Sequence, residues 1–413
     1  MTSSTNSAPG STGLTRYMGW VLGIGFMVIF LSSSIKTTYQ VFFVQMTESF
    51  GLDRGGFAVA MAVFMLVFGI ASPIVGFLSD RIGPTRTITL GIALAGVAFI
   101  GCGLIDSFAV FVALYGIVAA FGLTAMSYVP MGLLVDRTMA ERRKGLAYAF
   151  LTNGAAIGFI VLSPLWVFIQ GYLAWQHVYT ALGLFFLIPM LLAVHFGLPD
   201  APAPVAAHDD VAPPLRDRLK LVFTTKPYYA LLFGFAGCGA TMAFIDVHMV
   251  AYLQDLKLSP AQIGTALVVL GVTELVGGLI AGWMCDRYPK GSVIAGFYLL
   301  RAGAMFVLFM FPSPAGVLVF SALFGLSYLG TVIGTSMYTL SLFGSHNKGF
   351  AFGFIWLSHQ VGAFLSTQLG ANAFDWFGDY SWTVLVTGGV AVMSFLISMF
   401  MLPVNPRPAP IAG

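Results

Sequence analysis

The stretch GFLSDRIGPTR, Gly76 to Arg86, sets three charged residues between two long apolar runs, and a related stretch follows 206 residues later. That second copy, GWMCDR from Gly282 to Arg287, repeats the glycine and the Asp-Arg pair. Another pair of matching segments, KGLAYAF at 144–150 and KGFAFGF at 348–354, has almost the same separation. The chain therefore consists of two halves of the same plan and the same orientation.

The composition around these motifs is that of a membrane protein. Of 413 residues, 58% are hydrophobic and only 8% are charged, whereas a soluble domain carries about 25% charged residues. The three cysteines, Cys102, Cys238 and Cys285, lie in apolar runs or at a helix end and predict neither disulfides nor a metal site.

Twelve apolar runs are long enough to cross a bilayer, for which about 20 residues suffice. They lie at residues 17–44, 56–78, 87–105, 108–135, 146–168, 176–197, 228–253, 261–284, 292–311, 315–343, 349–371 and 381–402. We predict an all-α membrane protein of two pseudo-symmetric six-helix bundles, at 17–197 and 228–402. Residues 1–16 are predicted as a disordered tail, 198–227 as a cytoplasmic linker and 403–413 as a C-terminal tail.

Lysine and arginine are distributed asymmetrically between the two sides of the predicted bundle. With the N-terminus inside, 15 of the 19 lie at the termini or in the connections after the even-numbered helices. Arg54 and Lys257 fall in external connections, and Lys36 and Arg301 fall within spans. The positive-inside rule thus predicts that both termini are cytoplasmic.

The stretch from Gly76 to Arg86 resembles the loop 2–3 motif of the major facilitator superfamily, and the copy at Gly282–Arg287 takes the equivalent place between helices 8 and 9. This resemblance implies a transporter that works by alternating access. The segment 142–147 and a lysine at position 36 further resemble monocarboxylate porters and oxalate–formate antiporters.

The two motif copies predict a gate at the cytoplasmic ends of the helices. Asp80 and Asp286 can accept hydrogen bonds at the N-terminus of an adjacent helix, while Arg81 and Arg287 can pair with acids on a neighbouring loop. Gly76 is expected to let a neighbouring helix approach closely. The alternative is that these charges only set the topology.

Few ionisable residues lie at membrane depth, where each is expected to face the cavity or to be paired. Lys36 and Asp246 lie at similar depths on helices 1 and 7, which meet near the pseudo-twofold axis in this superfamily. A pair there would couple protons to an anionic solute. The alternatives are a permanent structural pair, or a Lys36 side chain that snorkels to the membrane surface. Glu274 either pairs with Arg301 on helix 9 or faces the cavity as a second proton site.

Candidate substrate-binding residues are polar or aromatic side chains at similar depths. They are Lys36, Tyr39, Tyr128, Asn153, Tyr328, Trp356, His359 and Gln360. His359 could donate to a solute or titrate near neutral pH, and otherwise it is hydrogen-bonded within the bundle. The aromatic residues form either a ring-binding cavity or ordinary packing.

The chain departs from the carboxylate porters in two places. Gly278 stands where those porters carry an arginine on helix 8, and the region of His359 lacks the helix 11 lysine of oxalate antiporters. A monocarboxylate carried with protons is our first prediction. A larger aromatic or heterocyclic solute such as riboflavin, or efflux of a toxic compound, is the alternative, and a transporter-like sensor or assembly factor is the third.

Several classes of function have no support in the sequence. The chain has no P-loop, no nucleophile–base arrangement and no metal-ligand spacing, so we predict no enzyme activity, no cofactor and no metal. Its basic loops lack interleaved aromatics, so nucleic acid is not a predicted partner. We expect a monomer in the inner membrane of a bacterium, with a small solute, protons and the lipid bilayer as its partners.

Overall fold

The computed structural model describes residues 11–138, 141–198 and 215–404. Some side chains within these ranges are also outside the description, among them those of residues 11–18, Lys36, Asp80, and residues 141–146 and 344–350. The predicted tails and most of the predicted linker therefore lie wholly or largely outside the described residues.

The described part of the chain is helical, with short π-helical segments. Its α-helices are α1 Ser11–Ser34, α2 Lys36–Ser49, α3 Arg54–Ile82, α4 Pro84–Leu104, α5 Phe108–Phe111, α6 Ala120–Ala125, α7 Tyr128–Thr138, α8 Glu141–Ile169, α9 Trp175–Phe185, α10 Leu191–Gly197, α11 Leu215–Thr224, α12 Lys226–Ala243, α13 Met249–Asp255, α14 Pro260–Arg287, α15 Lys290–Met310, α16 Pro314–Phe377 and α17 Ser381–Met401. Three π-helical segments, Val112–Ala119, Phe186–Met190 and Phe244–His248, join α5 to α6, α9 to α10 and α12 to α13.

Several predicted spans consist of two or more of these segments. The first span continues from α1 into α2, with a single turn residue at Ile35, and reaches Ser49 rather than position 44. Helices α5 to α7 form the fourth span, α9 and α10 the sixth, and α12 and α13 the seventh.

Helix α16 is a helical segment of 64 residues that contains two predicted spans. Thr331 contacts the Cys238 sulfur, and His359 contacts Met242 one turn further along α12. A straight helix would hold positions 331 and 359 about 42 Å apart. The chain therefore reverses between them, and α16 crosses the bundle twice, as the two predicted spans require.

Ten helices in the described residues are long and apolar enough to cross a membrane, and Asn153–Ile169 is a shorter apolar helix. The second pass of α16 supplies the remaining span. The prediction of an all-α membrane protein with twelve spans in two six-helix bundles is confirmed.

Glycines bring α12 and the second pass of α16 into backbone contact. A Cβ at Gly239 would overlap the carbonyl oxygen of His359, and one at Gly362 would overlap that of Ala236. Only glycine allows such an approach. This contact fixes the side chains of the two helices relative to each other.

The end of the bundle that carries residues 50–53 and 256–259 is called the outer end below, because the charge distribution predicts it to be external. A continuous hydrophobic core joins the two halves towards this end, with Phe43 and Tyr39 of α2 and Tyr252 of α13 among its members. The core fixes the geometry of the polar contacts described next.

Candidate functional site

Asp246 lies in the π-helical segment between α12 and α13, where α2 of the first half meets the second half. The Gln40 side-chain amide of α2 donates to the Ile245 carbonyl oxygen. The prediction that helices 1 and 7 meet near Asp246 is thus confirmed, and π-helical segments are frequent at functional sites. The Tyr328 hydroxyl of α16 donates to Asp246 Oδ1 over 3.4 Å.

Glu274 of α14 is a second acid close to this point. Its side chain is buried, at 9% exposure, and it makes no hydrogen bond with the described part of the chain. It lies close enough to Asp246 for the two carboxyl groups to interact electrostatically, and Tyr328 lies within the field of both. Asp246 and Tyr328 are therefore in contact, and Glu274 lies within electrostatic range of both.

Arg301 of α15 does not pair with Glu274. Of the two alternatives that the sequence left open for Glu274, the structural ion pair is therefore wrong. Among the described side chains, the ion pair is Arg54–Asp255. The fully buried guanidinium donates to Ser327, Tyr328, Thr331, Thr241 and Cys238 over 2.9–3.3 Å. These acceptors are hydroxyls, backbone carbonyls and one sulfur, so Arg301 fastens α15 to α12 and α16 without an acid.

His359 of α16 is buried where α16 packs against α12. Its ring lies parallel to that of Trp356, with centroids 5.0 Å apart and an interplanar angle of 1°. Nδ1 lies 3.4 Å from Gln360 Oε1, and Nε2 lies 3.3 Å from Met242 Sδ. In this structure the imidazole is therefore held within the bundle, and Trp356, which is half-buried, keeps exposed surface.

The other predicted binding residues are not all in one place. Tyr39 is fully buried in an aromatic cluster with Phe57 and Tyr115, and its hydroxyl donates to the Phe57 carbonyl. Its ring has no surface for a solute here, because it stacks on the neighbouring aromatic rings. The sequence had predicted that the ring faces the cavity. Tyr128 and Asn153 are exposed, and Gln360 is buried against Gly69 of α3.

Lys36 is the first residue of α2, one helical turn before Gln40. Its side chain lies outside the described residues, so its predicted pairing with Asp246 stays a prediction. Asp246 itself has interactions beyond Tyr328.

The two motif copies lie at the end opposite the outer end. Arg81 lies 4.5 Å over the Phe77 ring, and Arg287 lies 4.7 Å over the Trp283 ring. Both cations therefore contact rings of their own helices, while Asp286 is exposed and the Asp80 side chain is outside the description. The expected tight approach at Gly76 is wrong, since a Cβ there would meet Val129 at an ordinary 3.6 Å.

The outer end carries a polar cluster that sequence reasoning missed, which we call the outer latch: Arg54, Gly55, Asp255 and Asp375. Arg54 of the first half makes two hydrogen bonds of 2.6 and 2.8 Å to the Asp255 carboxylate of the second. The Asp375 carboxylate accepts the Arg54 and Gly55 backbone amides, at 3.1 and 2.5 Å, at the N-terminus of α3. A carboxylate is favourable there, since the end of the helix dipole is positive.

Further contacts reinforce the closure of this end. Gln368 donates to the Gly55 carbonyl over 2.8 Å, and Gln254 donates to Gln170 over 3.1 Å. Arg54 also lies 3.7 Å over the Phe374 ring. The two halves are thus joined at the outer end by charges, amides and a cation–π contact. The sequence pointed to this cluster only through Arg54, which is one of the two basic residues predicted to lie in external connections.

Comparisons with known proteins agree with this architecture. An uncharacterised MFS-type transporter of Bacillus subtilis (strain 168), YcxA, is 28% identical over 377 residues, covering 90% of this chain and 92% of the relative. Monocarboxylate transporter 12 of Xenopus laevis is 24% identical over 397 residues, covering 90% and 85%. A bacterial homologue of the human lysosomal transporter Spinster, solved inward-facing and unoccupied, superposes with a TM-score of 0.78 at 14% identity, covering 98% of this chain and all of that one.

The family model described as Major Facilitator Superfamily matches residues 22–367 and 229–412. These matches cover most of the described helices and both motif copies. They also agree with the twelve spans and with the two similar halves. The chain is a multi-pass membrane transporter that belongs to the Major Facilitator Superfamily.

Proposed function

We propose that this transporter moves a small organic acid, most simply a monocarboxylate, together with a proton. The proposal rests above all on Asp246, which accepts a hydrogen bond from Tyr328 where the two halves meet, and on Glu274, which lies within electrostatic range of Asp246. Relatives named as monocarboxylate transporters favour the same class of solute.

The proximity of the two carboxyl groups is what supports proton coupling. Two negative charges within electrostatic range in a buried site repel each other, which favours binding of a proton to one of the two carboxyl groups. Tyr328 can donate to Asp246 when that group is ionised. In our proposal one of these acids takes up a proton when the solute binds and releases it when the solute leaves.

The solute would bind between the halves, near the side chains that keep exposed surface. Asn153 and Tyr128 of the first half and Trp356 of the second are such groups. Lys36 is the proposed cationic anchor, because the helix 8 position used by carboxylate porters is Gly278 in this chain. His359 and Gln360 would contribute only after a rearrangement, since both are buried here.

A larger aromatic or heterocyclic solute, including a vitamin such as riboflavin, is the second candidate. The stacked pair of Trp356 and His359, flanked by Phe235 at 5.0 Å from the imidazole, favours it. A planar ring could continue this stack. Such a solute would not require Lys36.

Alternating access assigns separate roles to the two ends of the molecule. The outer latch holds the outer end closed, while Asp80, Arg81, Asp286 and Arg287 would form the gate at the opposite end. We place the protein in the inner membrane of a bacterium, as a monomer with both termini cytoplasmic.

Uptake into proteoliposomes tests the proposed function directly. Monocarboxylates, dicarboxylates and vitamins are each offered with and without an inwardly directed proton gradient. Monocarboxylate uptake should rise with the gradient, and Lys36→Ala should abolish it. Lys257→Ala is the matched control for a lost positive charge, because Lys257 is exposed at the outer end.

Two results would decide against the first candidate. Uptake of a vitamin but of no carboxylate would favour the ring-binding alternative, in which Lys36→Ala only weakens transport. Carboxylate uptake whose rate does not depend on the proton gradient would contradict the proposed role of Asp246 and Glu274 in proton coupling.

A further inference from the structure

Three soft or borderline metal ligands meet in the second half of the protein, next to Arg301. Cys238 and Met242 lie one turn apart on α12, and their sulfur atoms are 3.4 Å apart. His359 of α16 points Nε2 at Met242 Sδ over 3.3 Å. We propose that Cys238, Met242 and His359 form a binding site for a single monovalent soft cation, Cu(I).

The donor set selects the kind of metal. Thiolate and thioether sulfur favour Cu(I), and imidazole also binds copper, whereas calcium and magnesium prefer oxygen. Within the described residues no group of three His, Cys, Asp or Glu side chains forms a metal site. It is the thioether of Met242 that completes a three-ligand set.

The two separations that join Met242 Sδ to Cys238 Sγ and to His359 Nε2 suit a trigonal ion with a small adjustment. Metal–sulfur bonds of about 2.3 Å would set the ligands about 4 Å apart. The observed separations of 3.3 and 3.4 Å therefore need to open by about half an ångström. Met242 can supply this movement, because methionine has three rotatable bonds and fits irregular spaces.

The surroundings orient the ligands as metal sites usually do. His359 Nδ1 lies 3.4 Å from the side-chain oxygen Oε1 of Gln360, which leaves Nε2 available to an ion. Arg301 Nη1 donates to Cys238 Sγ over 3.1 Å, and Thr331 Oγ1 lies 3.2 Å from the same sulfur. Hydrogen bonds to a metal-bound sulfur are a common outer-shell feature.

Charge balance distinguishes Cu(I) from a divalent metal. When Cu(I) binds, the Cys238 S–H bond breaks, the proton leaves to solvent, and a sulfur–copper bond forms. One positive charge enters and one leaves, so the net charge beside the buried Arg301 guanidinium is unchanged. Zn(II) would add an uncompensated charge in the same place, which burial makes costly. No oxidation or reduction is involved.

Bound copper would join α12 to the second pass of α16, the two helices that Gly239 and Gly362 bring into backbone contact. This site does not depend on the solute proposed above. Its test requires no transport measurement, so that the two proposals can fail separately.

The test is a competition for Cu(I) using the purified full-length chain in detergent, with ascorbate present and bicinchoninate as the coloured competitor. Wild type should retain one Cu(I) per chain, and Met242→Leu, which nearly conserves volume, should weaken retention at least about tenfold. Cys285→Ser and Cys102→Ser, which remove the two other buried thiols, should retain copper like wild type. X-ray absorption should show sulfur and nitrogen neighbours, with the nitrogen lost in His359→Gln.

Each other outcome would overturn the proposal. These are no retained copper in wild type, retention unchanged by Met242→Leu, retention lost with Cys285→Ser, or Zn(II) retained as tightly as Cu(I). The melting temperature of every variant is measured first. Cys238→Ser should also weaken copper retention; if that variant fails to fold, the near-isosteric Met242→Leu still decides the result.

Discussion

Neutralising Asp255 in the outer latch should shift the protein towards states that are open at the outer end. Asp255→Asn keeps the shape of the side chain but removes the charge that Arg54 contacts through two hydrogen bonds. The amide can accept only one of these bonds and presents an NH₂ group to the other. Asp375 still accepts the two backbone amides of α3, so the latch is weakened rather than lost.

The size of the shift follows from the exposure of the pair. The Arg54 side chain is 12% exposed and that of Asp255 is 36% exposed. Exposed ion pairs contribute about 0–1 kcal/mol, whereas hydrogen bonds to charged groups contribute about 1.5–3 kcal/mol. We therefore expect a loss of about 1–2 kcal/mol from the closed outer end, a shift of roughly 5–30-fold in the equilibrium.

Electron spin resonance distances across the outer end provide the assay. Spin labels at Glu48→Cys and Ala261→Cys, exposed positions on opposite halves, report the separation of the halves. Asp255→Asn should increase the long-distance population, and high salt should reduce the difference from wild type because it screens the pair.

Asp379→Asn is the matched control. Asp379 is an acid at the same end, but it accepts the Ser381 amide within its own loop and does not bridge the halves. If both variants shift the distance distribution equally, the effect arises from net charge alone and not from the latch. No shift in Asp255→Asn would refute the reasoning about the latch.

Three further predictions concern the interior. Asp246→Asn should abolish the response of solute uptake to a proton gradient, and a variant with wild-type pH dependence would contradict its proposed role. Arg301→Lys should lower the free energy of unfolding by about 1–3 kcal/mol, because three ammonium donors cannot replace six hydrogen bonds; an unchanged melting temperature in detergent would count against this. Gly239→Ala should destabilise by about 1–3 kcal/mol through overlap with the His359 carbonyl, while Gly282→Ala, where the added Cβ meets no atom, should not; equal melting temperatures would refute the packing argument.

The fold could be predicted from the sequence because the bilayer imposes a length on every helix. Runs of about 20 apolar residues, the two copies of the Asp-Arg motif and the repeat of 206 residues were enough for twelve spans in two halves. The meeting of helices 1 and 7 was also predicted, but from the resemblance to the superfamily and not from the residues alone.

The polar contacts could not be predicted in the same way, because they depend on helix rotation. A rotation of α15 decides whether Arg301 faces Glu274 or the hydroxyls of Thr241 and Thr331, and the structure has the second arrangement. Similarly, the rotation of α2 about its axis decides where Tyr39 points, and in the structure its ring lies within the aromatic cluster. The outer latch joins residues about 200 and 320 positions apart, and no local pattern marks such pairs.

Proton movement that accompanies solute movement is the most direct test of the account. Proteoliposomes containing a pH-sensitive dye in their lumen are given a monocarboxylate gradient with no initial proton gradient. We predict that the lumen acidifies as the solute enters, and that Asp246→Asn removes the acidification while the exposed outer-loop variant Asp106→Asn retains it. Solute entry in the wild type without any change of luminal pH would contradict the assignment of Asp246 and Glu274 as the proton-coupling pair.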